Sequence, residues 1–367
     1  MSKVRYIAVH LSNDQSGSPR VLADFCSTDA VQDEKLTIVT NTGDGFLGSH
    51  LGQMKRIFYF RTKYTVVNSV SYLLAQIQIF VRVVLLVLKA YLYNEKPVVV
   101  SNTTLCLSSM VASRIMGATT IAYVHELMTA LPLHYKMARK VLDLTADEII
   151  FVSQFLSNRY DIRDRRFLVI DNGLRSDFEP PKEVNYAAKF SSGHVLFVGS
   201  LRAYKGIHQF LEVAEKLPKI QFIALLSCTD AVLETFKDQH FVPKNVFLKA
   251  SVTNIDQYYE SAHALLNLSL APDCVESFGM TVLEGMSFAC PCVVPLAGGH
   301  LDYFDLRSGA IIDARDTDKI VMFLGELHEN EGLWREYASH AAKVAETLSS
   351  EIYNKKVCEF LRNLDLR

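Results

Sequence analysis

The chain carries no surplus of charge of either sign: 38 Lys and Arg stand against 40 Asp and Glu, for a formal net charge of −2. That excludes the strongly basic surface of a general nucleic-acid binder, so no nucleic-acid partner is expected. Cysteine is scarce and unpatterned. The seven cysteines are odd in number, and the only close pair, Cys290-Pro-Cys292, lies in an apolar run that reads as a buried strand. Neither a metal-ligand spacing nor a disulfide framework emerges, which points to a reducing compartment. Met1 to Val9 lack the apolar core of a signal peptide and read as a first strand. An uninterrupted membrane span is missing as well. The charge-free run from Thr65 to Val81 is 17 residues, short of the ~20 a span takes, so a buried amphipathic helix is expected there, reaching Tyr93. Lys55, Arg56, Arg61 and Lys63 alternate with aromatics just before it, a mix that suits either a membrane interface or a solvated loop edge. Internal repeats and low-complexity tracts are absent.

What is present is a long, core-rich chain. At 367 residues and 49% apolar composition it has material for two domains. Short apolar runs alternate with helical patterns throughout. The first series of strands reads Val4–Leu11, Leu36–Thr40, Val98–Ser101, Thr120–His125, Glu148–Val152 and Leu168–Ile170. The second reads Val195–Val198, Phe222–Leu226, Val246–Leu248, Ala264–Leu268, Cys292–Pro295 and Ala310–Ile312. Two successive βα arrays predict an α/β protein of two Rossmann-like, doubly wound parallel sheets, whose ligands bind at the carboxyl ends of the strands. Phe178 to Gly193, with adjacent prolines and polar residues, has the signature of a linker. The expected division is residues 1–180 and 181–348, followed by a last helix over about 349–367.

The densest chemistry lies in Glu276-Ser-Phe-Gly-Met-Thr-Val-Leu-Glu284. Two carboxylates eight positions apart bracket a Phe-Gly turn and the start of an apolar helix. With Glu276 in the loop and Glu284 inside the helix, the backbone amides of Gly279, Met280 and Thr281 stand at a helix N-terminus, which suits a diphosphate. Two acids flanking a diphosphate seat can hold the hydroxyls of a sugar and of a ribose. The bland alternative is a strand-loop-helix with surface acids. A second segment, Val195-Leu-Phe-Val-Gly199-Ser-Leu-Arg202-Ala-Tyr-Lys205-Gly206, is a strand, a glycine turn and a basic loop. Arg202 and Lys205 there can neutralise a leaving diphosphate, and charge stabilisation at the leaving group lowers the barrier. Asp316-Thr-Asp318 matches an acidic metal motif literally, but it opens a helix, where acids serve as caps.

These segments, with Pro291-Cys-Val-Val-Pro and Gly298-Gly299 beyond them, resemble the retaining glycosyltransferases of family 4, which have the GT-B fold. The resemblance is dense from Val195 to about Asp313 and patchy before it. It implies two Rossmann-like domains facing a cleft, with the terminal helix crossing back to the first domain. It implies transfer of a sugar from a nucleotide-diphosphate sugar, UDP- or GDP-linked, with no divalent metal. Lys205, Arg202, Gly199, Phe278 and the Gly279–Thr281 amides would then hold the donor diphosphate. Glu284 would take the ribose hydroxyls and Glu276 the sugar hydroxyls, with His125, at the end of its strand, lining the sugar pocket. In the first domain it implies a phosphate or acceptor loop at Gly17 and Ser18, where Arg20 can meet an acidic acceptor. Ser200 replaces the usual arginine, Arg175 an aspartate and Asp302 a glutamate.

The expectation is a hexosyltransferase acting on a glycan or lipid-linked acceptor in bacterial surface polysaccharide assembly: O-antigen, capsule or lipopolysaccharide. It would be cytoplasmic, with peripheral contact on the inner face of the cytoplasmic membrane. The rivals are another GT-B enzyme, such as a sugar-nucleotide epimerase or a phosphorylase, and a non-catalytic partner of a glycosyltransferase.

Overall fold

The alternation of buried apolar runs with helices folds into two parallel sheets. The computed structural model describes residues 3–62, 64–127, 132–160, 162, 167–191, 193–271 and 273–367. The chain divides into two compact units, Met1–Gly173 with Ser350–Arg367, and Leu174–Ser349.

In the first unit the strands are β1 (Val4–Val9), β2 (Lys35–Asn41), β3 (Gln53–Ile57), β4 (Lys96–Ser101), β5 (Thr119–Val124), β6 (Glu148–Phe151) and β7 (Phe167–Val169). They pair in the order β3-β2-β1-β4-β5-β6-β7, every pair parallel. The central strands are buried on both faces, which explains their near-continuous Val, Ile and Ala. In the second unit they are β8 (His194–Ser200), β9 (Phe222–Ser227), β10 (Val246–Ala250), β11 (Ala262–Leu266), β12 (Cys292–Val294) and β13 (Gly309–Ile311). Their order is β10-β9-β8-β11-β12-β13, again parallel throughout. Phe197, Phe210 and Phe222 centre this core. Both sheets reverse their winding once, between β1 and β4 and between β8 and β11. The crevice outside the carboxyl ends of those two pairs is where such sheets bind ligands.

Three expectations need correction. The edge strand β3 is absent from the sequence reading, because Gln-Met-Lys-Arg-Ile offers no apolar run; as an edge strand it is only half covered. The linker expected over Phe178–Gly193 is packed structure. Phe178 meets the stacked rings of Tyr259 and Phe288 edge-on, at 5.5 and 5.0 Å, and the buried Lys189 ammonium donates to the Tyr259 and Glu260 carbonyls at 2.7 and 3.0 Å. Finally, the helix Thr65–Leu92 is only half buried. Ile79, Val83 and Val87 are fully enclosed against the β1 and β4 layer, while Val66, Leu73 and Leu85 on its other side are 76%, 61% and 60% exposed. Its apolar residues supply two faces, and the unit covers one. Lys63, just before it, lies outside the described residues.

The last helix, Ser350–Arg362, packs within the first unit. Its Tyr353 hydroxyl pairs with that of Tyr123 at 3.2 Å, and Asn354 bonds Asp29 at 3.0 Å. All seven cysteines are free thiols. Asp316 caps the helix Thr317–Glu329, accepting from the Lys319 amide at 3.3 Å, and Asp318 pairs with Lys216 at 2.7 Å.

Candidate functional site

At the reversal point of the second sheet, three loops meet beyond the ends of β8 and β11. The first leaves β8 and makes a single 3-10 turn, Ala203–Lys205, before the helix Ile207–Lys216. From the sequence the turn is expected at Gly199, but Gly199 lies within β8, in register with Leu226. The left-handed residue is Gly206, with φ at 85°, where a β-carbon would sit 2.3 Å from the Leu268 carbonyl oxygen. Glycine is therefore obligatory at Gly206, and the backbone there swings Lys205 over the second loop. Arg202 heads the 3-10 turn and is exposed.

The second loop follows β11 and carries Ser269 and Glu276. Lys205 Nζ lies 2.6 Å from Glu276 Oε1 and the Ser269 hydroxyl donates to the same oxygen at 2.8 Å. Both contacts use Oε1, which leaves Oε2 for a ligand among the described residues. Burial alone would raise the Glu276 pKa, but the Lys205 ammonium and the Ser269 hydroxyl outweigh it and hold the carboxyl below its ordinary value. Burial likewise works against the charge on Lys205; the Glu276 carboxylate overcomes it and holds the ammonium above its ordinary value. Each group thus keeps the other ionised in a half-buried setting. An ammonium has three donors, and Lys205 also meets the Cys274 thiol, so one remains after Glu276 and Cys274.

The third loop pins the second. Gly298 has φ at 150°, and the Gly299 amide donates to the Glu276 carbonyl at 2.8 Å. The helix Met280–Ser287 starts at Gly279, with φ at 91°, where a β-carbon would lie 2.9 Å from that of His300. Val282 and Leu283 donate to the Gly279 carbonyl, so the amides of Gly279, Met280 and Thr281 precede the first intrahelical bond. Met280 and Thr281 are half-buried at this end. Phe278, expected at the donor, is 2% exposed and packs at 5.1 Å, tilted, against Tyr303, bracing the turn.

Glu284 lies five residues into that helix and is 6% exposed. The Tyr259 hydroxyl donates to its Oε2 at 2.8 Å. Burial first, then the neighbouring Glu284 carboxylate, keeps that phenol protonated far above its ordinary pKa. Arg175 Nε stands 3.3 Å from Glu284 Oε1, an ion-pair distance without the alignment of a hydrogen bond. Its Nη2 is 3.6 Å from Asp256, and its guanidinium lies 4.4 Å over the Phe178 ring. In the sequence Arg175 stands out only as a departure from an aspartate; the structure makes it the cationic neighbour of Glu284. An arginine beside a buried carboxylate within one compact unit was not legible, because 109 positions separate them in the sequence.

The corresponding point of the first sheet holds a different cluster. His10, Asn102 and His125 follow β1, β4 and β5 directly. His125 Nε2 meets Asn102 Oδ1 at 2.8 Å, His10 Nδ1 meets the Asn102 carbonyl at 3.0 Å, and Asn102 Nδ2 donates to the Ser18 carbonyl at 2.8 Å. Burial lowers His125 from 6.5 to about 3 and His10 to about 4, so both rings are neutral at pH 7. His125 was expected here; His10 and Asn102 were missed, although each is the first polar residue after an apolar strand. Gly17 opens the helix Gly17–Cys26 with open space around it, and Ser18 follows. Arg20 is 8% exposed, paired with Asp24 at 3.4 Å and lying 5.0 Å over the Phe46 ring. Arg20, expected to meet an acidic acceptor, is held here by Asp24 of its own helix and by the Phe46 ring.

Residues 187–345 match the family model described as glycosyl transferases group 1, a stretch that includes Lys205, Ser269, Glu276, Gly279 and Glu284 but not Arg175. The chain is 28% identical over 152 residues to the O-antigen chain mannosyltransferase C of Escherichia coli, covering 40% of this chain and 40% of that protein. It is 27% identical over 178 residues to the processive diacylglycerol alpha-glucosyltransferase of Acholeplasma laidlawii, covering 44% and 52%. The matched region therefore spans about half the length of these relatives or less. Among solved structures, HepE of Anabaena with UDP and glucose superposes with a TM-score of 0.78 at 16% identity, over 98% of this chain and 100% of that one. WaaG, a glycosyltransferase involved in lipopolysaccharide biosynthesis, superposes with a TM-score of 0.73 at 13% identity over the same shares. The fold is thus that of GT-B glycosyltransferases, two parallel-sheet Rossmann-like domains, and the second unit carries a glycosyl transferases group 1 domain.

Proposed function

We propose that this protein is a retaining hexosyltransferase of family 4, which moves a sugar from a nucleotide-diphosphate sugar to a hydroxyl of a glycan or lipid-linked acceptor. The observation that carries the reading is the convergence of the Lys205 ammonium, the Glu276 carboxylate and the Gly279 helix start at the reversal point of a group 1 domain. The remaining donor of Lys205, the exposed Arg202 and the Gly279–Thr281 amides hold the diphosphate. Glu276 Oε2 holds a sugar hydroxyl, and Glu284, oriented by Tyr259 and Arg175, holds the ribose. His125, kept neutral by burial, offers a hydrogen bond and no charge to the sugar.

In the transfer, the bond from the anomeric carbon to the diphosphate oxygen breaks while the acceptor oxygen bonds to the same face. The leaving phosphate oxygen takes the acceptor proton. Lys205, Arg202 and the amides stabilise the charge that builds on the diphosphate, which is where such a site lowers its barrier. The chain's own cations supply this, so no divalent metal is needed. UDP in the HepE complex supports a UDP- or GDP-sugar donor. The names of the O-antigen and diacylglycerol transferases support an acceptor of bacterial surface polysaccharide or a lipid, met from the cytoplasm at the membrane.

The test is incubation with UDP-glucose, UDP-galactose and GDP-mannose, with and without a polyprenyl-diphosphate-linked glycan or diacylglycerol, with anomeric configuration read by NMR. An acceptor-dependent glycoside of the donor's own configuration is expected. A new nucleotide sugar formed without acceptor would make it an epimerase. A sugar phosphate formed only with inorganic phosphate would make it a phosphorylase. Binding of donor without any product would make it a non-catalytic partner.

A further inference from the structure

The helix Thr65–Leu92 has one solvent-facing side that none of the described residues of its unit covers. From Val66 to Leu92 a series of exposed positions at steps of four, three, four, four, four, three and four residues is entirely Val, Leu or Ile, with Ser69, Lys89 and Tyr91 exposed beside it. Those steps keep a single face of a helix. Leu73, Ile77, Leu85 and Leu92 are 61%, 54%, 60% and 85% exposed. At ~1.5 Å per residue the stripe runs for about 40 Å. The helix is long and apolar enough to cross a bilayer by length and composition, with 33% of its most apolar window buried. Its inner side is locked into the first core, so it can meet a bilayer only by lying along it.

The surroundings of the stripe identify what it lies on. Phe58 and Phe60 come off β3 beside it. The Phe58 amide donates to Gln78 Oε1 at 2.9 Å, the Phe60 amide to the Ser71 hydroxyl at 3.0 Å, and the two rings meet edge to face at 5.1 Å. Both are exposed, at 59% and 39%. Arg56, Arg61 and Lys89 are exposed around this surface, and residues 53–94 contain no Asp or Glu. An aliphatic face, aromatics at its edge and a flanking sequence whose only charges are basic are the parts of an interfacial helix on anionic lipid. A second copy of the chain would bring the same basic surround against itself. Protein partners, moreover, anchor on central Trp, Tyr and Arg, and the stripe has none.

We propose that this face is a membrane-docking surface, seating the first unit on a bilayer of anionic phospholipid with the Thr65–Leu92 helix in the plane of the head groups. Docking goes beyond the transfer reaction and is measured without donor or acceptor, so failure of one leaves the other standing.

The experiment is co-sedimentation of the full chain with vesicles of phosphatidylcholine alone or mixed with phosphatidylglycerol. Three proteins are compared: wild type, Leu73→Gln/Ile77→Gln/Leu85→Gln, and Arg56→Gln/Arg61→Gln/Lys89→Gln. All six positions are exposed or at the surround, and unchanged melting curves verify the fold. Wild type should partition onto the mixed vesicles at least about tenfold better than the stripe variant, and the basic-surround variant should lose the preference for phosphatidylglycerol. Wild type left in the supernatant, or a stripe variant that binds equally well, would overturn docking. A dimer in light scattering that the stripe variant dissociates would instead make the face a contact between copies.

Discussion

Lys205 and Glu276 hold each other ionised at 2.6 Å, so each is a precondition for the other's use. Lys205→Ala should weaken binding of a nucleoside diphosphate by about tenfold or more, the worth of a charge-assisted phosphate contact. Titration calorimetry checks it; unchanged affinity would place the diphosphate elsewhere. Glu276→Gln keeps the shape and removes the charge, and should cut turnover by about a hundredfold with the melting temperature nearly unchanged. The neutral His125 and His10 give a pH prediction. Their folded values, about 3 and about 4, lie below the ordinary 6.5. Between those limits the unfolded chain binds protons that the folded chain refuses, so stability is complete above pH 6.5 and falls as pH drops toward 4. Each ring contributes up to about 1.4 kcal/mol per pH unit. His125→Gln should make urea-derived stability less steep between pH 6 and pH 4.5 by up to that share; an unaltered slope would mean the ring is not held neutral.

At the scale of elements, the turns that aim these side chains depend on single glycines. Gly206→Ala puts a β-carbon 2.3 Å from the Leu268 carbonyl at a φ of 85°, and should cost about 2 kcal/mol or more in urea unfolding. Gly17→Ala meets nothing within 4 Å at the start of a helix, and should change stability by less than about 0.5 kcal/mol. Equal effects would remove the argument that Gly206 shapes the loop. The same contrast separates what the sequence revealed from what it hid. The central strands were legible because burial on both faces demands continuous Val, Ile and Leu, and the Glu276–Glu284 loop because its glycine and acids are local. β3 was not, since an edge strand of Gln, Met, Lys and Arg has no apolar signature. Phe178 was hidden behind Pro180 and Pro181, which read as linker while the ring packs on Tyr259. The second apolar face of the Thr65–Leu92 helix was invisible because composition does not say which face finds a partner. Arg175 beside Glu284 is a tertiary contact that no local pattern announces.

For the molecule as a whole, both sheets present their polar residues at the point where the strand order reverses: His10, Asn102 and His125 in one, and Lys205, Ser269 and Glu276 in the other. The topology selects these positions before any chemistry does. The terminal helix belongs to the first sheet, so deleting residues 350–367 would bare Tyr123 and its neighbours. That deletion should lower the melting transition of the first unit and leave that of the second in place, as read by calorimetry; a single transition unchanged by the deletion would contradict the packing. The account as a whole rests on a nucleotide diphosphate at the reversal point of the second sheet. Titration calorimetry of the full chain with UDP, GDP and ADP, repeated on Lys205→Ala and on Arg175→Ala, tests it most directly. The account predicts saturable binding of one of these nucleotides, a marked loss in Lys205→Ala, and a smaller loss in Arg175→Ala as Glu284 loses its orienting cation. Equal affinity in all three proteins, or no binding by the wild type, would contradict it.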